Sequence, residues 1–427
     1  MSSVEQRPVE PASPGDEPGR AIGDVRPVPR ISLQAFCESP GLVEALEDAA
    51  SDRRMARAHV KVHGGGVAAA AEFYRDAATP NLIMVESQLP REQLEAELDR
   101  LAEVCDAGTK VVVVGAVNDV SLYRSLVHRG ISEYLVSPVD VAGIIKAVSG
   151  LFVDQSAQPL GRTIAFVGAK GGVGSSMVAH NTAWAISRNF QNEVVVVDLD
   201  LAFGTAGLDY NQDPAQGVAE AVNAPERLDD NFLDRLLARC SDNLSLLAAP
   251  ATLDHAYDFG EFAFEPVIDV AQAGVPVVVL DVPHMWTAWV RKTLMAADEV
   301  VITVEPDLAN LRNAKNIVDI LRQERPNDAP PRMVVNKTGV TKRPEIGISD
   351  LTEALGLEPL ATIPFDPQLF GTAANNGQMI AEIDEKNPIV GTFDRAASSV
   401  TGRAEVKRAK RRLLGPLLAQ LQRKKSA

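Results

Sequence analysis

The sequence predicts an α/β protein with two doubly wound units, the second of which carries a phosphate-binding loop. From Ile31 onward, short apolar, β-branched runs alternate with helical stretches, a pattern typical of buried parallel strands joined by helices. A short polar stretch, Asp154–Arg162, separates two such series. The first strand of the second series enters a glycine-rich turn, and a helix follows it. That order places an anion at the N-terminus of a helix.

The overall composition indicates a folded chain. Of its 427 residues, 46% are hydrophobic and 23% are charged, as in globular proteins. The net charge of −15 argues against a protein that coats nucleic acid. The charge is uneven, because residues 403–427 contain nine basic residues and one acid, which leaves −23 for the rest of the chain.

Cysteine usage and hydropathy predict a cytoplasmic protein. Cys37, Cys105 and Cys240 are far apart and odd in number, which fits neither a disulfide framework nor a metal site. No apolar run approaches the roughly 18 residues that span a bilayer. The first 20 residues lack the apolar core of a signal peptide.

These patterns predict five segments. Residues 1–30 contain six prolines and no aromatic residue, so we expect a disordered tail. Residues 31–150 form the first α/β domain, 151–162 a linker, 163–400 the second α/β domain and 401–427 a basic tail. The strands expected in the second domain are Thr163–Gly168, Glu193–Asp200, Leu244–Ala249, Val275–Val282, Glu299–Glu305 and Arg332–Lys337. They predict a mostly parallel sheet with helices on both faces.

The strongest motif is the run IAFVGAKGGVGSS, residues 164–176. Gly171, Gly172 and Gly174 allow the backbone to approach phosphate oxygens, and the helix dipole favours an anion there. The hydroxyl of Ser176, at the start of the helix, is a candidate Mg²⁺ ligand. A glycine-rich turn without a ligand is the alternative. The candidate nucleotide-binding residues of this loop are Lys170, Gly171, Gly172, Val173, Gly174, Ser175 and Ser176.

This loop departs from the ordinary P-loop, since Ala169 replaces its first glycine and Ser175 its lysine. The run KGGVG instead resembles the deviant Walker A motif of the MinD/ParA superfamily. That resemblance makes Lys170 the signature lysine, which reaches the partner's nucleotide across a homodimer interface. Without a lysine at 175 we expect ATP binding to be weakened but retained, and hydrolysis to be slow or absent.

Three acids stand at the ends of apolar strands, where ligands of doubly wound sheets bind. Asp198 and Asp200 are two residues apart, so both are expected on one side of a strand that reaches Asp200. The superfamily resemblance implies that Asp198 lies near Mg²⁺, that Asp200 positions or activates the attacking water, and that Asp281 is the Walker B-like metal ligand. It also implies that Asn336 contacts the adenine and that Ile363–Asp366 lies near the base.

Several longer stretches resemble one subgroup, the CpaE or TadZ pilus-assembly proteins. This resemblance implies a protein that marks the cell pole or another site at the inner membrane and recruits a tight-adherence (Flp) pilus secretion machine. The stretches are Asp198–Pro214, Leu247–Asp254, Asp281–Trp289 and Glu305–Asp319.

The first domain resembles a response-regulator receiver in Asn81–Pro90 and Gly130–Asp140. The receiver residues themselves are replaced, which implies an interaction domain that is not phosphorylated. An unrelated α/β domain is the alternative. The replacements are Phe36 and Cys37 at the acidic pair, Glu86 at the phosphoacceptor, Gly115 or Ala116 at the hydroxyl position and Ser137 at the lysine position.

The C-terminal stretch 406–425 places five leucines on one face of a basic helix, which favours contact with an anionic membrane surface. Gly415 and Pro416 interrupt that helix, so a tail that is solvated or docks on a partner is an equal alternative.

Two other functions compete with pilus positioning. A ParA-like DNA or cargo segregation ATPase needs a basic face, which the acidic body opposes, so we expect no specific nucleic-acid partner. The second competing function is that of a scaffold that has lost nucleotide binding. An electron-transfer ATPase is excluded, because it needs paired cysteines and the second domain has only Cys240.

Overall fold

A computed structural model describes residues 25–106, 108–152, 160–253 and 256–402. The predicted tail up to residue 24, residues 153–159 of the linker and the basic tail from 403 onward lie outside them. The membrane contact predicted for 406–425 therefore also lies outside. In the described ranges, no helix combines the length and apolar character that a bilayer crossing requires.

The chain divides into two compact units. The first contains residues 25–152 together with Asp319–Pro330, and the second contains residues 160–318 and 331–402.

The first unit is a five-stranded parallel sheet in the order β2-β1-β3-β4-β5. This is the flavodoxin-like doubly wound order, as the receiver resemblance implied. Its strands are β1 (Ile31–Cys37), β2 (Ala58–Gly64), β3 (Leu82–Ser87), β4 (Lys110–Gly115) and β5 (Glu133–Val136). Its helices are α1 (Pro40–Ser51), α2 (Val67–Phe73), α3 (Arg91–Val104), α4 (Val120–His128) and α5 (Val141–Phe152).

Glu86, at the phosphoacceptor position, is enclosed by hydrogen bonds at the carboxyl edge of this sheet. Its side chain is buried, and its carboxylate accepts hydrogen bonds from the backbone N–H groups of Glu38 and Ser39 at 2.7 and 2.8 Å and from Ser39 Oγ at 2.6 Å. Phe36 and Cys37 are also buried. The carboxylate therefore holds the loop between β1 and α1 from within, and the absence of phosphorylation stays a prediction.

The second unit is an eight-stranded sheet in the order β13-β12-β11-β6-β10-β7-β9-β8, parallel except for the edge strand β8. The mostly parallel sheet was predicted, while the antiparallel edge was not. The strands are β6 (Arg162–Gly168), β7 (Val194–Asp198), β8 (Ala238–Ser241), β9 (Leu244–Leu247), β10 (Val277–Val282), β11 (Glu299–Val304), β12 (Arg332–Thr338) and β13 (Pro359–Pro364).

Helices flank this sheet. The first of them, α6 (Ser175–Phe190), follows the glycine-rich turn. The others are α7 (Ala206–Asp209), α8 (Val218–Asn223), α9 (Asp230–Leu236), α10 (Glu265–Gly274), α11 (Ala288–Ala296), α12 (Leu308–Glu324), α13 (Ile348–Leu355), α14 (Pro367–Asn376), α15 (Ile380–Ile383) and α16 (Pro388–Thr401).

Local sequence explains these elements. The central strands β7, β10 and β11 are buried at every position, as expected of valine-rich parallel strands covered on both faces. Several helix starts carry side-chain caps, for example Thr287 before α11 and Asp366 before α14. The predicted strand boundaries differ from the observed ones by one or two residues. The difference that bears on the site is that β7 ends at Asp198 and not at Asp200.

A buried ion cluster anchors the segment Asp319–Pro330 within the first unit. Asp328 lies 2.9 Å from Arg53 Nε and 2.7 Å from Arg325 Nη2, and it also pairs with Arg54, whose side chain is completely buried. Burial alone raises the pKa of Asp328, but Arg53, Arg325 and Arg54 outweigh it and lower that pKa to about 2.

We expect Asp328→Asn to destabilise the first unit by about 2 kcal/mol at pH 7, because it leaves the buried Arg54 without one of its carboxylates. The folded pKa lies below the unfolded value of about 4, so the stabilisation is complete above that pH and is lost as the pH falls toward 2. Urea denaturation followed by hydrogen exchange of β1 and β3 peptides, at pH 7 and pH 3, measures both effects.

The matched control is Arg100→Ala, which removes an exposed ion pair with Glu97 in the same unit and should change nothing measurable. Equal stability of Asp328→Asn and the parent chain at pH 7 would contradict the role of the cluster.

Candidate functional site

The glycine-rich loop between β6 and α6 has the shape that anion binding requires. Gly172 and Gly174 adopt left-handed backbone angles, with φ of 79° and 86°. A Cβ at Gly174 would lie 2.7 Å from Asn336 Nδ2, and one at Gly168 would lie 2.8 Å from Val173 Cγ2. Glycine is therefore required at these turns, and the backbone leads directly into the N-terminus of α6.

Side chains from several elements hold the loop. His284 Nδ1 lies 2.8 Å from the carbonyl oxygen of Gly168, and Asn313 donates to the carbonyl oxygen of Ala169 at 2.9 Å. Asn336 donates to the carbonyl oxygen of Val173 at 2.8 Å. Contacts within the protein therefore fix the conformation of the loop.

Ser175 and Lys170 have different surroundings in this loop. Ser175 Oγ is buried without a hydrogen-bond partner among the described residues, so an uncharged group stands where a lysine is usual. The side chain of Lys170 is 52% exposed, and its ammonium lies 3.9 Å from Asp307 Oδ2 at the start of α12. Lys170 is therefore available to reach outward, whereas Ser175 faces inward.

Both the nitrogen and the oxygen of the Asn336 side-chain amide make hydrogen bonds within the protein. Besides the bond to Val173, its Oδ1 accepts from the N–H of Lys337 at 2.9 Å. Lys337, which the sequence analysis missed, donates to the carbonyl oxygen of Gly172 and lies 3.0 Å from Glu305 Oε1. Its position directly after Asn336 at the end of β12 was the available signal.

Asp198 and Asp281 are directly paired on the neighbouring strands β7 and β10, and both are buried. Asp198 accepts from the backbone N–H groups of Asp200 and Ala206, each at 3.1 Å. Burial and the nearby charge of Asp281 raise the pKa of Asp198. Asp281 Oδ2 makes no hydrogen bond among the described residues, although His180 Nε2 lies 3.3 Å from it.

Asp200 lies in the turn after β7. Its carboxylate accepts from the N–H of Phe203 at 3.0 Å, and burial raises its pKa. Because the strand has already ended, the alternation argument that placed Asp200 on the same side as Asp198 does not apply.

His180 is a further residue of this site that the sequence analysis missed. It is completely buried on α6, with Nδ1 2.7 Å from Asp209 Oδ2 and Nε2 3.3 Å from Asp281 Oδ2. Burial lowers the pKa of His180, but hydrogen bonds and charges from Asp209 and Asp281 outweigh it and raise that pKa to about 10. Its spacing of one helical turn from Ser176 was the available signal.

The residues present fit a Mg²⁺-nucleotide. Within the described ranges no group of three or more His, Cys, Asp or Glu side chains is placed to hold a metal. Mg²⁺ at nucleotide sites, however, uses one or two protein oxygens together with phosphates and waters. The carboxylate of Asp281 and the hydroxyl of Ser176 supply such oxygens, while Asp198 is occupied with backbone donors.

This chain is similar to several known proteins. A family model described as an AAA domain matches residues 161–327. The septum site-determining protein MinD of Bacillus subtilis is 26% identical over 247 residues, which is 53% of this chain and 84% of that protein. A ParA family ATPase of Chlorobium tepidum has the same fold over 56% of this chain and 98% of its own, with 24% identity and a TM-score of 0.50.

The pilus assembly protein CpaE of Caulobacter crescentus is 48% identical in its solved structure, which covers 30% of this chain and 98% of that one, with a TM-score of 0.30. Identity at that level over nearly the whole of the solved Caulobacter chain shows the family, and the phosphate loop agrees with it. The chain belongs to the CpaE family of pilus assembly proteins, within the MinD/ParA superfamily.

Proposed function

We propose that this protein is an ATP-binding, dimerising positioning and assembly factor for a tight-adherence (Flp) type pilus secretion system, with slow or absent ATP hydrolysis. The observation that carries the proposal is a preformed phosphate loop in which uncharged Ser175, with its Oγ buried, occupies the lysine position. The role in pilus assembly is inferred from the family, and ATP binding is inferred from the phosphate loop.

The loop supports binding of ATP with Mg²⁺. Left-handed glycines at 172 and 174 present backbone N–H groups at the start of α6, which attract phosphate without any side-chain charge. Asp281 and Ser176 are the metal-side residues, and Lys170 to Ser176 surround the phosphates.

The same loop favours slow hydrolysis. Phosphoryl transfer depends on positive groups that stabilise charge developing on the transferred phosphate, and the lysine that usually does so is absent. Asp200 is the candidate to position the attacking water.

Exposed apolar side chains around the loop support a homodimer. They follow β7, β10 and β11 and therefore lie at the carboxyl edge of the sheet, where the loop and Lys170 also lie. Patches of this kind mark protein interfaces. A second copy covering this edge would bring its own Lys170 toward the nucleotide. The side chains are Phe203, Leu208, Met285, Trp286 and Leu308, exposed by 75%, 71%, 43%, 48% and 75%.

A ParA-like segregation ATPase and a nucleotide-free scaffold remain the alternatives. The first predicts DNA binding that weakens steeply with salt, and the second predicts no ATP binding.

We expect the full chain to bind Mg-ATP at micromolar concentration and to double its mass when ATP is bound. Lys170→Ala should keep a monomer-like mass with ATP present, because the lysine that would reach the partner's nucleotide is gone. Calorimetric titration and light scattering measure the two properties. Lys386→Ala, an exposed lysine outside the loop, is the control. Absence of ATP binding at millimolar concentration would leave the scaffold as the function.

We expect Ser175→Lys to raise the ATPase rate at least 10-fold, since it restores the usual charge beside the phosphates. A steady-state phosphate-release assay measures this rate, and Ser175→Ala, which removes the hydroxyl without adding charge, should match the parent chain. A Ser175→Lys protein that binds ATP normally but hydrolyses it no faster would show that the missing lysine is not what limits the reaction.

We expect Phe203→Ser to weaken the ATP-dependent dimer by roughly 10- to 30-fold, because a large apolar side chain at the interface is lost. Sedimentation equilibrium with Mg-ATP measures the dissociation constant. Leu160→Ala is the matched control, since Leu160 is 46% exposed but precedes β6 and lies at the opposite edge of the sheet. Equal weakening by both variants would argue against this edge as the interface.

A further inference from the structure

His180 is in contact with two carboxylates that belong to different segments of the second unit. Asp281 is on β10, and Asp209 is the last residue of α7. The imidazole lies between them, 3.3 Å from Asp281 Oδ2 and 2.7 Å from Asp209 Oδ2. His180 thus connects Asp281 and Asp209 in one row of three polar side chains.

An ordinary core histidine does not account for this row. A buried imidazole needs one or two hydrogen bonds, which backbone groups readily supply, whereas burying carboxylates is costly unless they are paired. Asp281 Oδ2 has no hydrogen-bond partner in the described ranges, and His180 is at ion-pair distance from it. The carboxylate that faces the expected metal is therefore oriented by His180.

Through Asp209 the same row also contacts α7, whose first residue is hydrogen-bonded to the other buried acid, Asp198. The N–H of Ala206, the first residue of α7, donates to Asp198 at 3.1 Å. Asp209, the last residue of α7, contacts His180. Both buried acids are thus connected to this one short helix, which carries the exposed Leu208.

We propose that His180 is a positioning residue that orients Asp281 for the metal and, through Asp209, couples the metal side of the site to α7. The proposal rests on the proposed function for its metal, and it extends that function by linking metal binding to the apolar edge that carries Leu208. Replacing a side chain that contacts a metal ligand, but not the metal itself, commonly changes metal affinity 10- to 100-fold.

The test uses His180→Gln, which keeps one N–H donor, and Asp209→Asn, which removes the negative charge at the far end of the row and leaves the imidazole in place. We expect each variant to raise the Mg²⁺ concentration for half-maximal ATP binding about 10-fold. ATP affinity in EDTA should stay within about 2-fold of the parent chain, because the loop itself is unchanged. The double variant should be no worse than either single variant, since both break the same row.

Tyr210→Phe is the matched control. The Tyr210 hydroxyl donates to the backbone carbonyl oxygen of His180 at 2.9 Å, so its removal affects the same backbone but not the imidazole. The Mg²⁺ midpoint should stay at the parent value. Unchanged midpoints in His180→Gln and Asp209→Asn, or a double variant whose effect is the product of the single effects, would overturn the positioning role.

Hydrogen exchange of a peptide covering residues 200–212, measured without nucleotide, separates this proposal from the proposed function. We expect exchange to accelerate in His180→Gln and Asp209→Asn, because α7 loses its contact with the row, and to stay at the parent rate in Tyr210→Phe. If no variant and not even the parent binds ATP, the nucleotide function fails while the exchange result still decides the coupling. Exchange that is equal in all four proteins would overturn it.

Discussion

Asp198 and Asp281 are paired on neighbouring strands in the centre of the second sheet, away from water. Two like charges in such a place are tolerated only if other groups compensate them. Backbone N–H groups of Asp200 and Ala206 serve Asp198, and His180 serves Asp281. The turn after β7 must therefore fold back over Asp198, and it does so closely enough that a Cβ at Gly204 would lie 2.3 Å from Asp198 Oδ2. The position of α7 follows from this electrostatic requirement.

The phosphate loop is held by the protein on several sides, through His284, Asn313 and Asn336. Its shape therefore does not depend on the residue at position 175. Replacing a lysine there by Ser175 removes a charge but leaves in place the backbone donors on which the proposed phosphate binding depends. In the proposed function, binding and hydrolysis therefore depend on different features of the loop.

The fold class, the phosphate loop and the strand-end acids were predictable because each depends on residues close together in sequence. A strand, three glycines and a helix define the loop, and valine-rich runs define β7 and β10. The remaining features depend on distant contacts. No local pattern places His180 against Asp281, or Asn336 against Val173. The end of β7 at Asp198 was also missed, because it follows from the backbone bonds that Asp198 accepts. The assignment of Asp319–Pro330 to the first unit depends on Asp328 meeting Arg53, 275 positions earlier.

Both units present the carboxyl edge of a parallel sheet, which is where doubly wound folds bind ligands, but the two edges differ in what is left unpaired. In the first unit Glu86 accepts three hydrogen bonds from Glu38 and Ser39, so the donors that a phosphate or metal-bound group would use are already satisfied. In the second unit Ser175 Oγ is buried without a hydrogen-bond partner among the described residues, and Asp281 Oδ2 makes no hydrogen bond there, with His180 Nε2 3.3 Å away. Buried polar atoms are rarely left in this state unless a ligand or water completes them. A nucleotide and its metal would therefore satisfy the polar atoms at the carboxyl edge of the second sheet. At the carboxyl edge of the first sheet these groups already have partners within the protein, which suits a domain that binds other proteins through its surface.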